Sequence, residues 1–268
     1  MTGGRAQSQL LSKDDAIVHG FSTRQGGVSA APFNTLNLGQ SVGDDRTKVD
    51  ENRRRFFGGS GVDPAQVVRV YQAHDNGVLR VEGEVLQRAG FPESLIDRAR
   101  PFDALVTKQS GLALTISTAD CVPILIHDPV RCAIAAIHAG WRGTARRVVV
   151  SALDAMRDSY GTDAADCRVA IGPCIRACCF EVDVPVTDAM ASALTAWHSF
   201  ATATRPGHWQ MDLPAINRRL LEQSGVASER IDDLDLCTSC RSDLFFSHRR
   251  DKGRTGRMMA FILMRGSD

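Results

Sequence analysis

Apolar residues along the chain fall into short runs separated by polar, glycine-bearing or proline-bearing segments, the pattern of alternating strands and helices. Ala16 to Phe21 predicts a short strand. It runs into Ser22-Thr-Arg-Gln-Gly-Gly-Val-Ser29, whose paired glycines permit a tight or left-handed turn that can present backbone N–H groups to an anion. Thr47 to Phe57 predicts a helix stopped by Gly58 and Gly59. Val67 to Tyr71, Ala104 to Val106 and Leu112 to Ser117 predict strands. Val122 to His127 and Cys132 to His138 are two apolar runs joined by Asp128-Pro-Val-Arg131, a hairpin that argues against a purely parallel sheet. Val148, Leu153 and Met156 recur with helical spacing between Thr144 and Tyr160, and Gly161 closes that segment. Further helices are expected over Val186 to Trp197 and Leu213 to Gln223, and strands over Val169 to Ile171 and Met258 to Met264. The sum is an α+β chain with helices packed on mixed sheets. No fixed-period repeat or Pro/Ser linker divides it, so residues 16–268 are expected to form a single domain after an N-terminal extension of residues 1–15.

Composition narrows the classes. At 268 residues the chain can bury a sizeable core, and 43% hydrophobic with 24% charged residues excludes collagenous, low-complexity and coiled-coil architectures. A net charge of +1 provides no global field for nucleic acid or anionic membrane, and neither partner is expected. No apolar run approaches the length of a membrane span and the first ten residues lack a signal-peptide core, which leads us to expect a cytoplasmic protein. In that setting the 8 cysteines are reduced, and metal ligation or catalysis becomes their interesting use. Cys132 and Cys167, each in an apolar run, are read as small buried hydrophobes.

Three residues stand where predicted strands end: His74 in Gln72-Ala-His-Asp-Asn-Gly77, Cys121 in Thr118-Ala-Asp-Cys-Val-Pro123, and His138 in Ala136-Ile-His-Ala-Gly-Trp-Arg-Gly143. Imidazole and thiolate are donors that zinc prefers, and three protein ligands leave a fourth position for water. The long-range spacing matches no zinc-finger pattern, so on these residues alone unrelated buried positions come ahead of a shared metal. The Cys237-Thr-Ser-Cys240 pair reads as ordinary thiols, as a redox dithiol, or as half of a four-thiolate zinc site completed by Cys174 and either Cys178 or Cys179. Arg249, Arg250 and Arg257 near the end suit phosphate or base stacking, or else form a charged surface loop with Asp251.

Several segments occur together in one order: His19-Gly-Phe-Ser-Thr-Arg-Gln-Gly-Gly-Val-Ser29, Asn37-Leu-Gly39, Gln72-Ala-His74, Asp103-Ala-Leu-Val106, Ala119-Asp-Cys-Val-Pro-Ile124, His138-Ala-Gly-Trp-Arg-Gly143, Ile171-Gly-Pro173 and Phe245 to Asp251. In this the chain resembles the YfiH/laccase-domain family of purine nucleoside phosphorylases, once labelled multicopper polyphenol oxidases, over residues 16–264. The resemblance implies a single α+β domain of mixed sheets flanked by helices, similar to the catalytic domain of cytotoxic necrotizing factors. It also implies zinc on His74, Cys121 and His138, with copper as a possible substitute. The implied activities are phosphorolysis of adenosine, inosine and methylthioadenosine, and deamination of adenosine to inosine. The implied partners are therefore a small nucleoside and phosphate.

On that reading His74, Cys121 and His138 carry a zinc that lowers the pKa of bound water, and Asp120 is the candidate acid or base, with capping of the turn before Cys121 as its other role. Arg24 with Gly26 and Gly27 is the first candidate for phosphate binding and Arg142 the second. Other readings remain beside it. A copper oxidase coupling several centres needs many histidines, often in His-X-His pairs, and the 7 present include none. A cysteine hydrolase using Cys121 and His138, an editing hydrolase that removes misplaced L-serine from UDP-MurNAc, and a non-enzymatic binding protein complete the set.

Overall fold

The computed structural model describes residues 4–82, 99 and 101–266. Its strands in chain order are β1 (Arg5–Ala6), β2 (Ile17–Ser22), β3 (Val67–Val68), β4 (Val78–Arg80), β5 (Ala104–Thr107), β6 (Ala113–Thr118), β7 (Val122–Asp128), β8 (Ala133–Ala139), β9 (Arg168–Ile171), β10 (Glu181–Asp183), β11 (Ala201–Arg205), β12 (His208–Met211), β13 (Ile231–Asp233) and β14 (Met258–Met264). The α-helices are α1 (Arg46–Gly58), α2 (Trp141–Ala145), α3 (Val148–Tyr160), α4 (Val184–Ala193) and α5 (Leu213–Gln223). One sheet has the order β1-β2-β14-β6-β3, a second β13-β9-β7-β8-β5-β4, and a small third one β10-β12-β11. The pairs β3/β6, β4/β5 and β9/β13 are parallel, so both large sheets are mixed.

β7 and β8 are buried at every position, which is why they read as unbroken apolar runs. Their side chains divide by the period of two. Leu125, Ile134 and Ala136 meet Leu114, Ile116 and Ile262 of the first sheet. Ile124, Ile126, Ala135 and Ile137 face the other way, onto Val149, Leu153 and Met156 of α3 and Ile216 and Leu220 of α5. The outer face of the first sheet is covered by α1, whose Phe56 and Phe57 meet the Phe261 ring edge-on. The result is a helix–sheet–sheet–helix stack.

The expected α+β class and the β7–β8 hairpin are both present. The register runs from Val122↔Ala139 to Asp128↔Ala133. Asp128 shapes the turn by accepting the N–H groups of Val130 and Arg131. Cys132 corrects the sequence reading: it is exposed at this turn with φ 52°, whereas Cys167 is buried as expected. The helix expected from Thr144 breaks at Arg147, where φ is 59°; α2 is a separate short helix, and its Thr144 hydroxyl accepts a hydrogen bond from buried Asn217 of α5. The strand expected over Val67 to Tyr71 pairs only at Val67 and Val68, and the chain beyond turns into a cleft wall. The helix expected to reach Trp197 ends at Ala193. The β11–β12 hairpin escaped the sequence reading because β11 is short, largely exposed and carries no buried alternation. Within the first fifteen residues, Arg5 and Ala6 pair with β2 and Leu11 lies in the core, so this stretch adds to the sheet. Among the described residues no helix is long and apolar enough to cross a membrane.

His19 on β2 is 1% exposed and its Nε2 accepts the Ser8 N–H at 3.0 Å. Burial, reinforced by the neighbouring Arg5 charge, lowers its pKa from 6.5 to about 4. Between those values the unfolded chain takes up a proton that the folded one refuses. The stabilisation from the neutral ring is therefore complete above about pH 6.5 and is lost as pH falls towards 4, amounting to about 3 kcal/mol. Urea unfolding at pH 7 and pH 4.5 is expected to show this fall in the wild type and a smaller one in His19→Gln.

Candidate metal centre

The site is assembled where strand ends meet. Asp103 stands immediately before β5, and the pairing Ala104↔Ile137 brings it beside His138 on β8. The Asp103 carbonyl accepts the His138 N–H at 2.7 Å, and its Oδ1 lies 2.7 Å from His138 Nδ1. The same carboxylate accepts the backbone N–H groups of Ala73 at 3.1 Å, His74 at 3.0 Å and Asp75 at 2.8 Å. Those bonds hold His74 in a left-handed conformation with φ 62° and bring its ring edge-on to His138, with centroids 4.8 Å apart.

Cys121 enters from the first residue before β7. Because Val122 pairs with Ala139, Cys121 lies alongside Gly140, next to His138 in the opposing strand. A Cβ on Gly140 would stand 2.9 Å from His74 Cδ2 and 3.1 Å from Cys121 Sγ, so only glycine leaves room for this convergence. One ligand atom each from His74, Cys121 and His138 lie within 4.8 Å of one another.

The electrostatics prepare the donors. Burial alone would raise the Cys121 thiol pKa, yet the adjoining His138 charge and hydrogen bonds from His138 and His74 lower it, favouring thiolate. Burial alone would lower the His138 pKa, and the Cys121 thiolate and Asp103 raise it. Asp103 itself is fully buried, and burial pushes its carboxyl up, but the His138 ring and the Asp75 and Ala73 amides bring it below the usual range.

The donor set fits zinc. Two imidazoles and a thiolate are ligands that this ion takes, and three of them leave an open position. With Nδ1 engaged by Asp103, Nε2 of His138 is the nitrogen left to coordinate, the carboxylate–histidine pairing common at zinc sites. Copper is also attracted to such donors. The structure thus brings together the three metal-ligand candidates singled out from sequence.

These residues line one wall of a cleft of about 650 Å³. Arg53, Arg69, Arg142, Arg249 and Arg257 reach it, as do Tyr71, Trp141 and Phe180. The Arg142 guanidinium lies 4.2 Å from the Trp141 ring centre and that of Arg249 5.2 Å from Phe180. Arg257 donates to the carbonyls of Thr255 and Gly256; burial lowers its pKa against the opposing pull of Cys121 and Asp120. Arg250, by contrast, is turned into the structure, donating to Asp251 and to the carbonyls of Thr238 and Phe245.

Asp120 also lines the cleft, with φ 99°, but both carboxylate oxygens are engaged: Oδ1 accepts from the Thr238 hydroxyl at 2.6 Å and Oδ2 from the Arg249 N–H at 2.7 Å. The carboxylate therefore does not cap the turn before Cys121; it ties that turn to the distant Thr238 and Arg249 segments. The structure does not bring Arg24, Gly26 and Gly27 to this cleft. Arg24 donates to the Asn34 carbonyl and side chain and to the Ser242 carbonyl, and stacks on Phe246 at 4.6 Å. Gly27 is packed so closely on the backbone of Thr35 and Leu36 that a Cβ would overlap them. The paired glycines serve loop closure, and the arginine locks it.

Asp103 is the site residue the sequence reading missed, although Asp103-Ala-Leu-Val106 was visible as an acid placed directly before a buried strand. Arg53 and Arg69 carried no local signal.

An α+β stack of mixed sheets with an open two-histidine, one-cysteine cluster at the strand ends defines the class of protein. The chain belongs to the family described as multi-copper polyphenol oxidoreductase laccase, whose model matches residues 18–265. It is 34% identical over 258 residues to the purine nucleoside phosphorylase YlmD of Bacillus subtilis (strain 168), covering 96% of this chain and 92% of that protein. It is 37% identical over 250 residues to YlmD of Geobacillus stearothermophilus, covering 91% and 89%. The crystal structure of the Bacillus licheniformis hypothetical protein YfiH superposes with a TM-score of 0.88 at 36% identity, covering 93% of each chain.

Two outcomes are expected from this geometry. Asp103→Ala should weaken zinc binding about 10- to 100-fold in a competition with a chromophoric chelator, since the ring of His138 and the His74 turn both lose their anchor. Gly140→Ala should also lose zinc while keeping a wild-type circular dichroism spectrum.

Proposed function

We propose that the protein is a zinc-dependent purine nucleoside phosphorylase acting on adenosine, inosine and methylthioadenosine, and that the same centre deaminates adenosine to inosine. The observation that carries this reading is that the His74–Cys121–His138 cluster opens into a cleft bearing both arginines and aromatic rings. Relatives named purine nucleoside phosphorylase support the substrate class. A cytoplasmic setting suits the reaction, keeping the Cys121 thiol reduced.

Zinc, when bound, supplies Lewis acidity at its open position and lowers the pKa of a water there. The chain's own groups do the rest. Trp141, Tyr71 and Phe180 offer faces for a planar base, and Arg142, Arg249 and Arg257 supply donors for phosphate. In phosphorolysis a phosphate oxygen bonds to the sugar C1′ as the bond to the purine nitrogen breaks, and the base leaves with a proton. Arginines spaced along the wall offset the phosphate charge and orient it towards that carbon. Asp103 keeps His138 in one tautomer and orientation. Asp120 is assigned a positioning role, holding the Arg249 backbone and Thr238.

One observation favours a second reading. Cys121, His138 and Asp103 are also arranged as nucleophile, base and orienting acid of a cysteine hydrolase. A bound metal would occupy the thiolate, so sensitivity to chelators with indifference to mild alkylation supports the zinc reading and the reverse supports the hydrolase.

Product analysis decides between classes. Zinc-loaded protein incubated with adenosine should release adenine only with phosphate and inosine in either buffer, and His138→Ala should lose both at least about 100-fold. Absence of product from the zinc-loaded wild type would overturn the proposal and move attention to hydrolysis of L-serine from UDP-MurNAc conjugates.

A further inference from the structure

A second group of sulfur atoms lies behind the cleft wall. Cys178 and Cys179 lie in the turn after Cys174, and Cys237 and Cys240 face them; the four Sγ atoms all lie within 4.8 Å of one another. Cys240 Sγ is 3.6 Å from that of Cys178 and 3.4 Å from that of Cys179. Four sulfurs tetrahedrally bound to one ion at about 2.3 Å stand about 3.8 Å apart, whereas a disulfide draws two of them to about 2.05 Å. One sulfur near-equidistant from two others matches shared ligation, not a preferred pair.

The surrounding backbone is built for the same purpose. Cys237-Thr-Ser-Cys240 is closed by a bond from the Arg241 N–H to the Cys237 carbonyl at 3.1 Å. The backbone N–H groups of Cys240 and Arg176 hydrogen-bond to the Cys237 sulfur and fix its orientation. A two-residue spacer between cysteines is the common zinc-turn spacing. Backbone bonds run between the two turns, from the Thr238 N–H to the Cys174 carbonyl at 2.9 Å and from the Cys174 N–H to the Leu236 carbonyl at 3.1 Å.

We propose that Cys178, Cys179, Cys237 and Cys240 bind a second zinc ion as a closed four-thiolate structural site. Four soft sulfur donors fill a tetrahedral shell completely, leaving no position for substrate. On binding, the four thiols release their protons to solvent and each sulfur shares a lone pair with the ion; nothing is oxidised or reduced. Cys174, which the sequence reading offered as a ligand, lies outside the group, buried with its sulfur 3.9 Å from Arg176 Nη1.

Position gives this site its consequence. Thr238, next to Cys237, donates to Asp120 Oδ1, and the Ile175 N–H donates to the Asp120 carbonyl at 2.8 Å. Phe180, next to Cys179, lies under Arg249 in the cleft wall. The ion therefore staples two turns whose neighbours shape the residue beside Cys121.

The test is a metal count on full-length protein purified under reducing conditions without chelator, with X-ray absorption at the zinc edge. The wild type is expected to hold two zinc ions per chain, and Cys237→Ser/Cys240→Ser one fewer. In His138→Ala, zinc should remain, with four sulfur neighbours at about 2.3 Å. That measurement does not depend on whether the cysteine variant folds. Zinc content unchanged in the cysteine variant, a His138→Ala protein lacking four-sulfur zinc, or a disulfide among these residues in freshly reduced-purified protein would each overturn the proposal. Loss of zinc only in His138→Ala would uphold the first centre and reject the second, so the two fail separately.

Discussion

The buried carboxylate of Asp103 receives the backbone of Ala73, His74 and Asp75 on one side and the ring of His138 on the other. It has no exposed surface, so a charge here would be unfavourable without full compensation. Three amides and an imidazole provide that compensation and, in doing so, tie a loop to the second sheet. Removing any of them leaves a buried charge short of partners. The orientation of two metal donors is thus a by-product of satisfying one acid, and the cleft inherits its geometry from that balance.

Much of this was legible in the sequence because burial writes itself plainly. β7 and β8 are fully buried and read as apolar runs, and the polar turn between them marked the hairpin. His74, Cys121 and His138 stood out because chemically reactive residues at strand ends beside glycine or proline are unusual. What stayed hidden depended on partners far along the chain. Arg24 looked like an anion-holding residue next to two glycines, yet it bonds Asn34 and Ser242 and lies outside the cleft that holds the metal donors. Asp120 looked free to move a proton, and its oxygens are held by Thr238 and Arg249, more than a hundred residues away in sequence. The arginines that line the cleft, Arg53 and Arg69 in particular, sit in a predicted helix and a predicted strand whose local composition does not mark them for a site.

The family description speaks of multi-copper oxidation, and the side chains argue for something else. One cluster offers two nitrogens and a sulfur, the other four sulfurs, and neither resembles a histidine-rich set for several coupled copper ions. The first is open to a cleft and the second faces turns. Such a division would separate chemistry from scaffolding within one chain: an ion with a vacant coordination position could serve a substrate, whereas a saturated one would serve only the backbone.

The hairpin carries a final implication, for the order in which the molecule matures. Cys121 and His138 flank a single local turn, whereas His74 must be delivered by a loop anchored through Asp103. Local pairing forms early, because closing a short loop sacrifices little chain entropy, and long-range association follows. The hairpin alone therefore offers two of the three donors, and the third depends on a contact far along the chain. A metal on those two donors alone would be held weakly, and the full set would require the loop seated on Asp103. Completion of the donor set is in this way a long-range event, so the hairpin by itself would not discriminate among ions as the finished three-donor geometry would.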